Sequence, residues 1–145
     1  MLSINFPEPS FRIKTEQGRE LIYDSLRKKW VQLTPEEWVR QNFTRYLTDV
    51  MKYPASLIAL EKKIRLGELA KRFDLLVYDK THQPWMLIEC KAMDVTLDEK
   101  VLNQVLRYHI SVPVTYLVIT NGKHSYAWKK TAAGLEAISR LPEAE

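Results

Sequence analysis

Three charged side chains stand where the sequence is otherwise apolar. In Trp85-Met86-Leu87-Ile88-Glu89-Cys90-Lys91 an apolar run meets Glu89 and then Lys91. Side chains alternate faces along a strand, so Glu89 and Lys91 share one face and Cys90 takes the other. In Arg72-Phe73-Asp74-Leu75-Leu76-Val77-Tyr78 the acid Asp74 interrupts a second strand just before its apolar half. The stretch from Lys80 to Pro84 is too short for anything but a tight connection, so the two strands are expected to pair as an antiparallel hairpin. Asp74 then falls close to Glu89 or Lys91. Two carboxylates brought together repel, and the pKa of one must rise. A divalent cation removes that conflict. Oxygen donors from Asp, Glu and a backbone carbonyl suit Mg²⁺, which keeps several waters and accepts phosphate oxygens. A neighbouring lysine can orient an attacking water. This is a residue set for metal-assisted phosphodiester hydrolysis. Read without chemistry, the same residues make a surface hairpin with an ordinary Glu89–Lys91 ion pair, and spacing alone does not separate the two.

The elements that must position these residues are legible around them. Phe11 to Lys14 and Glu20 to Tyr23 read as short strands about the Gln17-Gly18 turn. Thr34-Pro35-Glu36-Glu37 is a helix start, with Thr as N-cap, Pro at the first helical position and Glu three residues after the cap. Val39, Phe43, Tyr46, Leu47 and Val50 follow as an apolar stripe, and Tyr53-Pro54 ends the helix. Ser56 to Arg65 reads as a strand, with Gly67 as the turn into the Asp74 strand. A second helix is expected over Leu97 to Ile110, with Val101, Leu102, Val105 and Leu106 on its apolar face. Gln104 and Tyr108, four apart, share another face. They read either as a boundary pair or as a face beside the metal site. Val114 to Thr120 is a strand, Asn121-Gly122 a turn, and His124 to Lys129 a returning strand. The order α, β, β, β, α, β, β predicts an α/β domain with a central mixed sheet and helices packed on it. One domain over residues 1–145 is expected, with 1–33 an extension carrying short strands and 34–131 the core. The first ten residues and the closing Leu141-Pro142-Glu143-Ala144-Glu145 read as frayed ends.

Composition sets the remaining bounds. The 145 residues suffice for a real core, and the net charge of +4 suits a nucleic-acid partner without requiring one. Arg27-Lys28-Lys29, Lys62-Lys63-x-Arg65, Lys71-Arg72 and Lys129-Lys130 are small basic clusters, each read first as solvated surface. Cys90 is the single cysteine, so an internal disulfide and a cysteine-based zinc site are both excluded. It reads as a small core side chain. His82, His109 and His124 lack metal-ligand spacing and read as surface or boundary residues. No apolar run approaches a membrane span, and the N-terminus lacks a secretory pattern, so a cytoplasmic location is expected.

Taken in order, KRFDLLVYD, WMLIECKA, NQVLRY and VITNG resemble the PD-(D/E)XK nuclease superfamily, and more narrowly the N-terminal nuclease domain of type I restriction enzyme R subunits. The string Asp…Glu-x-Lys…Gln-x-x-x-Tyr, on strand, strand and helix, carries the resemblance, which runs from Thr34 to Gly122. It implies a restriction-endonuclease-like fold and hydrolysis of DNA with Mg²⁺, or Mn²⁺ in its place. Asp74 and Glu89 would be metal ligands, with the Cys90 carbonyl as a backbone ligand. Lys91 would be the catalytic lysine, and Gln104 and Tyr108 the accessory motif. Glu37 would be the acid of the first helix that assists the metal. Arg72, on the face of Asp74, would bind phosphate or neutralise the acids. Phe73 stands where the family often has proline. R subunits of type I enzymes also carry a helicase motor, and no phosphate-binding glycine–lysine loop occurs in these 145 residues. A separate helicase or restriction–modification subunit is therefore an expected partner, and the superfamily resemblance implies a homodimer as a further one. The alternative is a catalytically silent module that binds nucleic acid or docks a partner while keeping the nuclease fold.

Overall fold

The computed structural model describes residues 1–66 and 68–144, apart from the side chains of residues 66 and 69. The expected Gly67 turn lies outside the described residues. Two sheets are present. Strands β1 (Ile13–Glu16), β2 (Arg19–Asp24) and β3 (Lys29–Gln32) form an antiparallel meander. Strands β4 (Ile58–Leu66), β5 (Leu69–Tyr78), β6 (Pro84–Cys90), β7 (Tyr116–Thr120), β8 (Ser125–Thr131) and β9 (Gly134–Ile138) form a six-stranded sheet in sequence order. Helix α1 (Pro35–Arg45) precedes it, and α2 (Glu99–His109) joins β6 to β7. That crossover makes β6 and β7 parallel, whereas every other neighbouring pair is antiparallel.

The local chemistry explains the boundaries. Thr34 caps α1, its hydroxyl accepting the Glu37 N–H at 2.9 Å, and Pro35 fills the first helical position. After Arg45 the chain widens into a π-helical turn over Tyr46–Val50. The extra residue per turn shifts the phase of the stripe. Val39, Phe43, Tyr46 and Leu47 are buried as expected, but Val50 is 48% exposed. In the β5–β6 hairpin, Asp79 organises the turn by accepting from the Thr81 and Gln83 backbone N–H groups. Asn121 does the same between β7 and β8, its Oδ1 accepting from Lys123 and His124 N–H, with Gly122 at φ 87°.

Two strands escaped the sequence pattern. In β3 (KWVQ) only Trp30 and Val31 are half-buried, and in β9 only Leu135 and Ile138. Short strands at a sheet edge bury too little to show a two-residue period. Among the described residues, both ends are tied to the body of the protein rather than frayed. Leu2 donates its N–H to Ser125 O at 2.8 Å, and the Tyr53 hydroxyl donates to Pro142 O. Leu2 and Leu141 both sit in the main core, where burial of apolar surface outweighs chain-end entropy.

The six-stranded sheet is covered on both faces. Val39 and Phe43 of α1 and Leu47 of the π-helical turn pack with Leu75, Val77, Met86, Ile88 and Cys90. On the other face Phe73, Leu76, Leu87 and Leu117 form one cluster, and Leu97, Val105 and Ile119 another beside it. Among the described residues, no helix is long and apolar enough to cross a membrane.

Candidate functional site

The register of the central hairpin builds the site. Leu75 pairs with Ile88 and Leu76 with Leu87, so Asp74 falls opposite Glu89 where the ladder ends. On the other side of β5, Leu60 pairs with Leu75 and Lys62 with Phe73, which sets Glu61 opposite Asp74. Glu61 interrupts that ladder at φ 49°, an uncommon conformation outside glycine. Its carboxylate accepts from Arg27 Nη1 at 2.9 Å.

Both oxygens of Asp74 are engaged. Oδ2 accepts the Cys90 N–H at 2.8 Å, and Oδ1 accepts from Arg40 Nη2 at 2.8 Å. Burial pushes the Asp74 carboxyl up, but hydrogen bonds from Glu89, Arg40 and the Cys90 N–H outweigh it and hold it down. Glu89 goes the other way. Burial raises it, and the hydrogen bond and charge of Asp74 raise it further, against the pull of Lys91. Glu89 therefore keeps the proton of the pair. Among the described residues, no group of three or more His, Cys, Asp or Glu side chains gathers to hold a metal. Two hard carboxylates suit Mg²⁺, which binds through one or two carboxylates and fills its remaining positions with water and phosphate.

The other expected residues are distributed unevenly. Lys91 is half-buried directly after β6, where its N–H donates to Thr120 O at 2.8 Å and its charge acts on Glu89. Arg72 is exposed. Gln104 is exposed on α2 and Tyr108 is 53% exposed, with Lys71 Nζ 4.5 Å from its ring centroid. Neither hydrogen-bonds to Asp74, Glu89 or Lys91 among the described contacts. The Cys90 side chain is buried in the α1 core, and burial pushes its thiol well up.

Glu37 is buried, but its oxygens face Arg40 and Gln41 of α1 and Arg27 from the β2–β3 connection. Oε1 accepts from Arg40 Nη1 at 2.5 Å, and Oε2 accepts from Gln41 Nε2 at 2.9 Å and Arg27 Nη2 at 3.2 Å. Arg27 also pairs with Asp24, which accepts from Gln41 Nε2 at 3.1 Å. An alternating chain of charges thus runs Asp24, Arg27, Glu37, Arg40, Asp74, from the edge of the small sheet to the acid pair. Arg27 is an internal counter-ion and not part of a solvated basic cluster. Burial raises Asp24, yet the Arg27 N–H, its guanidinium and Gln41 together hold Asp24 below the ordinary aspartate range. The unfolded chain therefore takes up a proton before the folded one as pH falls. This contribution to stability is present above the ordinary aspartate pKa and is lost as pH drops through the lowered value. Asp24→Asn should flatten the acid limb of the stability curve below about pH 4. Chemical denaturation of parent and variant across pH 2.5–6 checks this; parallel curves would contradict it.

Two residues at the site were not anticipated. Arg40 touches Asp74 directly, and His109, expected at the surface or a boundary, is buried with Nε2 3.6 Å from Glu89 Oε1. The available signal for Arg40 was its place among Glu36, Glu37 and Gln41 on the polar side of the stripe. For His109 it was adjacency to Tyr108 on the helix that must pack on β7.

No curated protein matches the sequence. Among solved structures, a protein of Anabaena variabilis ATCC 29413 described as a candidate nuclease belonging to DUF820 superposes with a TM-score of 0.49 at 11% identity, covering 87% of this chain and 80% of that one. A likeness of that size carries no weight for function. The mixed six-stranded sheet between two helices, with an acid pair where β5 meets β6, is the α/β architecture expected from the sequence, a central mixed sheet with helices packed on it. Residues 35–142 match the family described as "Type I restriction enzyme R protein N terminus", and the chain belongs to that family.

Proposed function

We propose that this chain is a metal-dependent nuclease of the PD-(D/E)XK type, hydrolysing phosphodiester bonds of DNA. The observation that carries the reading is the register that sets the half-buried Asp74 opposite Glu89 where the β5–β6 ladder ends, with Lys91 directly after β6. Asp74 and Glu89 would hold Mg²⁺, or Mn²⁺ in its place, with the Cys90 carbonyl as a further oxygen. Bound there, the ion would polarise the scissile phosphate and lower the pKa of water. Lys91, whose charge already reaches Glu89, orients the attacking water and offsets charge developing on the phosphate. Arg72, exposed two residues before Asp74, meets a phosphate of the backbone. Gln104 and Tyr108, exposed on α2, meet the same strand or its water. Glu37 acts on the site through Arg40, since that guanidinium already takes up one of its oxygens. The family's context extends the proposal to a helicase or restriction–modification subunit as working partner, a homodimer as candidate assembly, and the cytoplasm as location.

One observation favours a second reading. Arg40 already neutralises Asp74, as it would in a silent module that binds DNA or docks a partner. Incubation with single-stranded, duplex and nicked DNA in Mg²⁺, Mn²⁺ or chelator separates the two. Metal-dependent cleavage that Lys91→Ala abolishes is the expected result. DNA binding with no cleavage under any metal would replace the nuclease reading with the silent one.

A further inference from the structure

His109 sits at the last residue of α2 and is 1% exposed. Neither ring nitrogen has a hydrogen-bond partner among the described residues. A buried, unpaired imidazole nitrogen carries its full desolvation cost, which a phenylalanine in the same space would not. The ring is held in place from several sides. Phe73 lies 5.6 Å from it and Tyr108 4.7 Å, centroid to centroid. Lys71 donates to Tyr108 O, and Lys130 donates to Ile110 O at 2.9 Å and to Val112 O, so both lysines fix the C-terminal carbonyls of α2. Thus fixed, the ring aims Nε2 at Glu89 Oε1 across 3.6 Å. A shift of about 0.7 Å makes that contact a hydrogen bond.

We propose that His109 is a positioning residue for Glu89, donating its Nε2–H to Oε1 and so holding the carboxylate in the orientation that receives the cation. The inference rests on the metal-dependent reading above. A donor on the outer oxygen fixes which way a ligating carboxylate faces. Burial and the charges of Lys71, Lys91 and Lys130, against that of Asp74, keep the imidazole neutral with a pKa pushed down to about 4. A neutral ring has one N–H, so the tautomer decides whether Nε2 can donate. Nδ1 is then left as a bare lone pair, the cheaper orphan of the two.

The test has two independent readouts. Long-range ¹H–¹⁵N correlation on the labelled full chain should show the proton on Nε2. A proton on Nδ1 overturns the proposal. Calorimetry with Mg²⁺ should show affinity weakened about 10–100-fold in His109→Phe and partly recovered in His109→Gln, whose amide can donate. Equal Mg²⁺ affinity in His109→Phe and the parent also overturns it. A melting temperature of His109→Phe at or above the parent's excludes simple misfolding. If that variant does not fold, His109→Gln against the parent gives the same comparison. Should the parent bind no Mg²⁺, the nuclease reading fails separately, and the tautomer alone decides whether His109 holds Glu89.

Discussion

Asp74→Asn should cut DNA at least ~10³-fold more slowly than the parent, a loss of about 4 kcal/mol of transition-state stabilisation. The substitution is nearly isosteric, and the side-chain oxygen can still accept either the Cys90 N–H or Arg40. What disappears is one of the two negative charges that meet between β5 and β6. Glu89→Gln should act likewise, because the amide keeps the shape of the protonated acid and cannot ionise to hold a cation. Both variants should fold. Glu89→Gln should melt close to the parent, since the parent's Glu89 is itself held neutral beside Asp74. Initial-rate assays over a Mg²⁺ series, with melting curves on the same samples, check the pair. Cleavage by Asp74→Asn within a few-fold of the parent would remove the acids from the chemistry.

The largest effect on folding is expected at Arg27. Its guanidinium meets Asp24, Glu37 and Glu61, and both Asp24 and Glu37 are almost fully buried. Arg27→Met keeps much of the side-chain volume but leaves those carboxylates short of a cation. Breaking a buried ion pair from one side costs about 3–5 kcal/mol, because the surviving charge remains desolvated. The variant should lose that much in urea denaturation. Its Asp24 carboxyl should rise, since Arg27 supplies several of the interactions that hold it down. A loss under about 1 kcal/mol, the range of a surface pair, would show the network to be solvated in solution. Because Arg40 links Glu37 to Asp74, the same variant should also loosen the acid pair and weaken cleavage.

How much of this was legible in the sequence depends on which interactions fix each residue. The Thr34 cap, the Asn121-Gly122 turn and the β5–β6 hairpin follow from neighbours within a few positions, and they appear as expected. Asp74 and Glu89 were brought together correctly, because a hairpin's register is local. The Val50 error is also local, but it comes from a π-turn that no period of 3.6 anticipates. Arg40 and His109 belong to another class. Which face of α1 meets β5, and how deep the end of α2 sinks beside β6, are decided by tertiary packing. The sequence shows Arg40 only as one polar residue among several, and His109 only as the neighbour of Tyr108. The same holds for Arg27, whose place beside two lysines suggested surface, while Asp24 and Glu37 draw it inside. Leu2 and Leu141 were hidden by their position at the chain ends, where pattern arguments have too few residues to work on.

The most direct test of the central claim is Mg²⁺ binding by calorimetry, on the parent and on Asp74→Ala, in one buffer with and without short duplex DNA. The account predicts a binding isotherm for the parent, with protons released as Glu89 gives up its own, and none for the variant. An absence of Mg²⁺ and Mn²⁺ binding by the parent, even with DNA present, would contradict it and leave the acid pair as a proton-sharing structural contact beside Arg40.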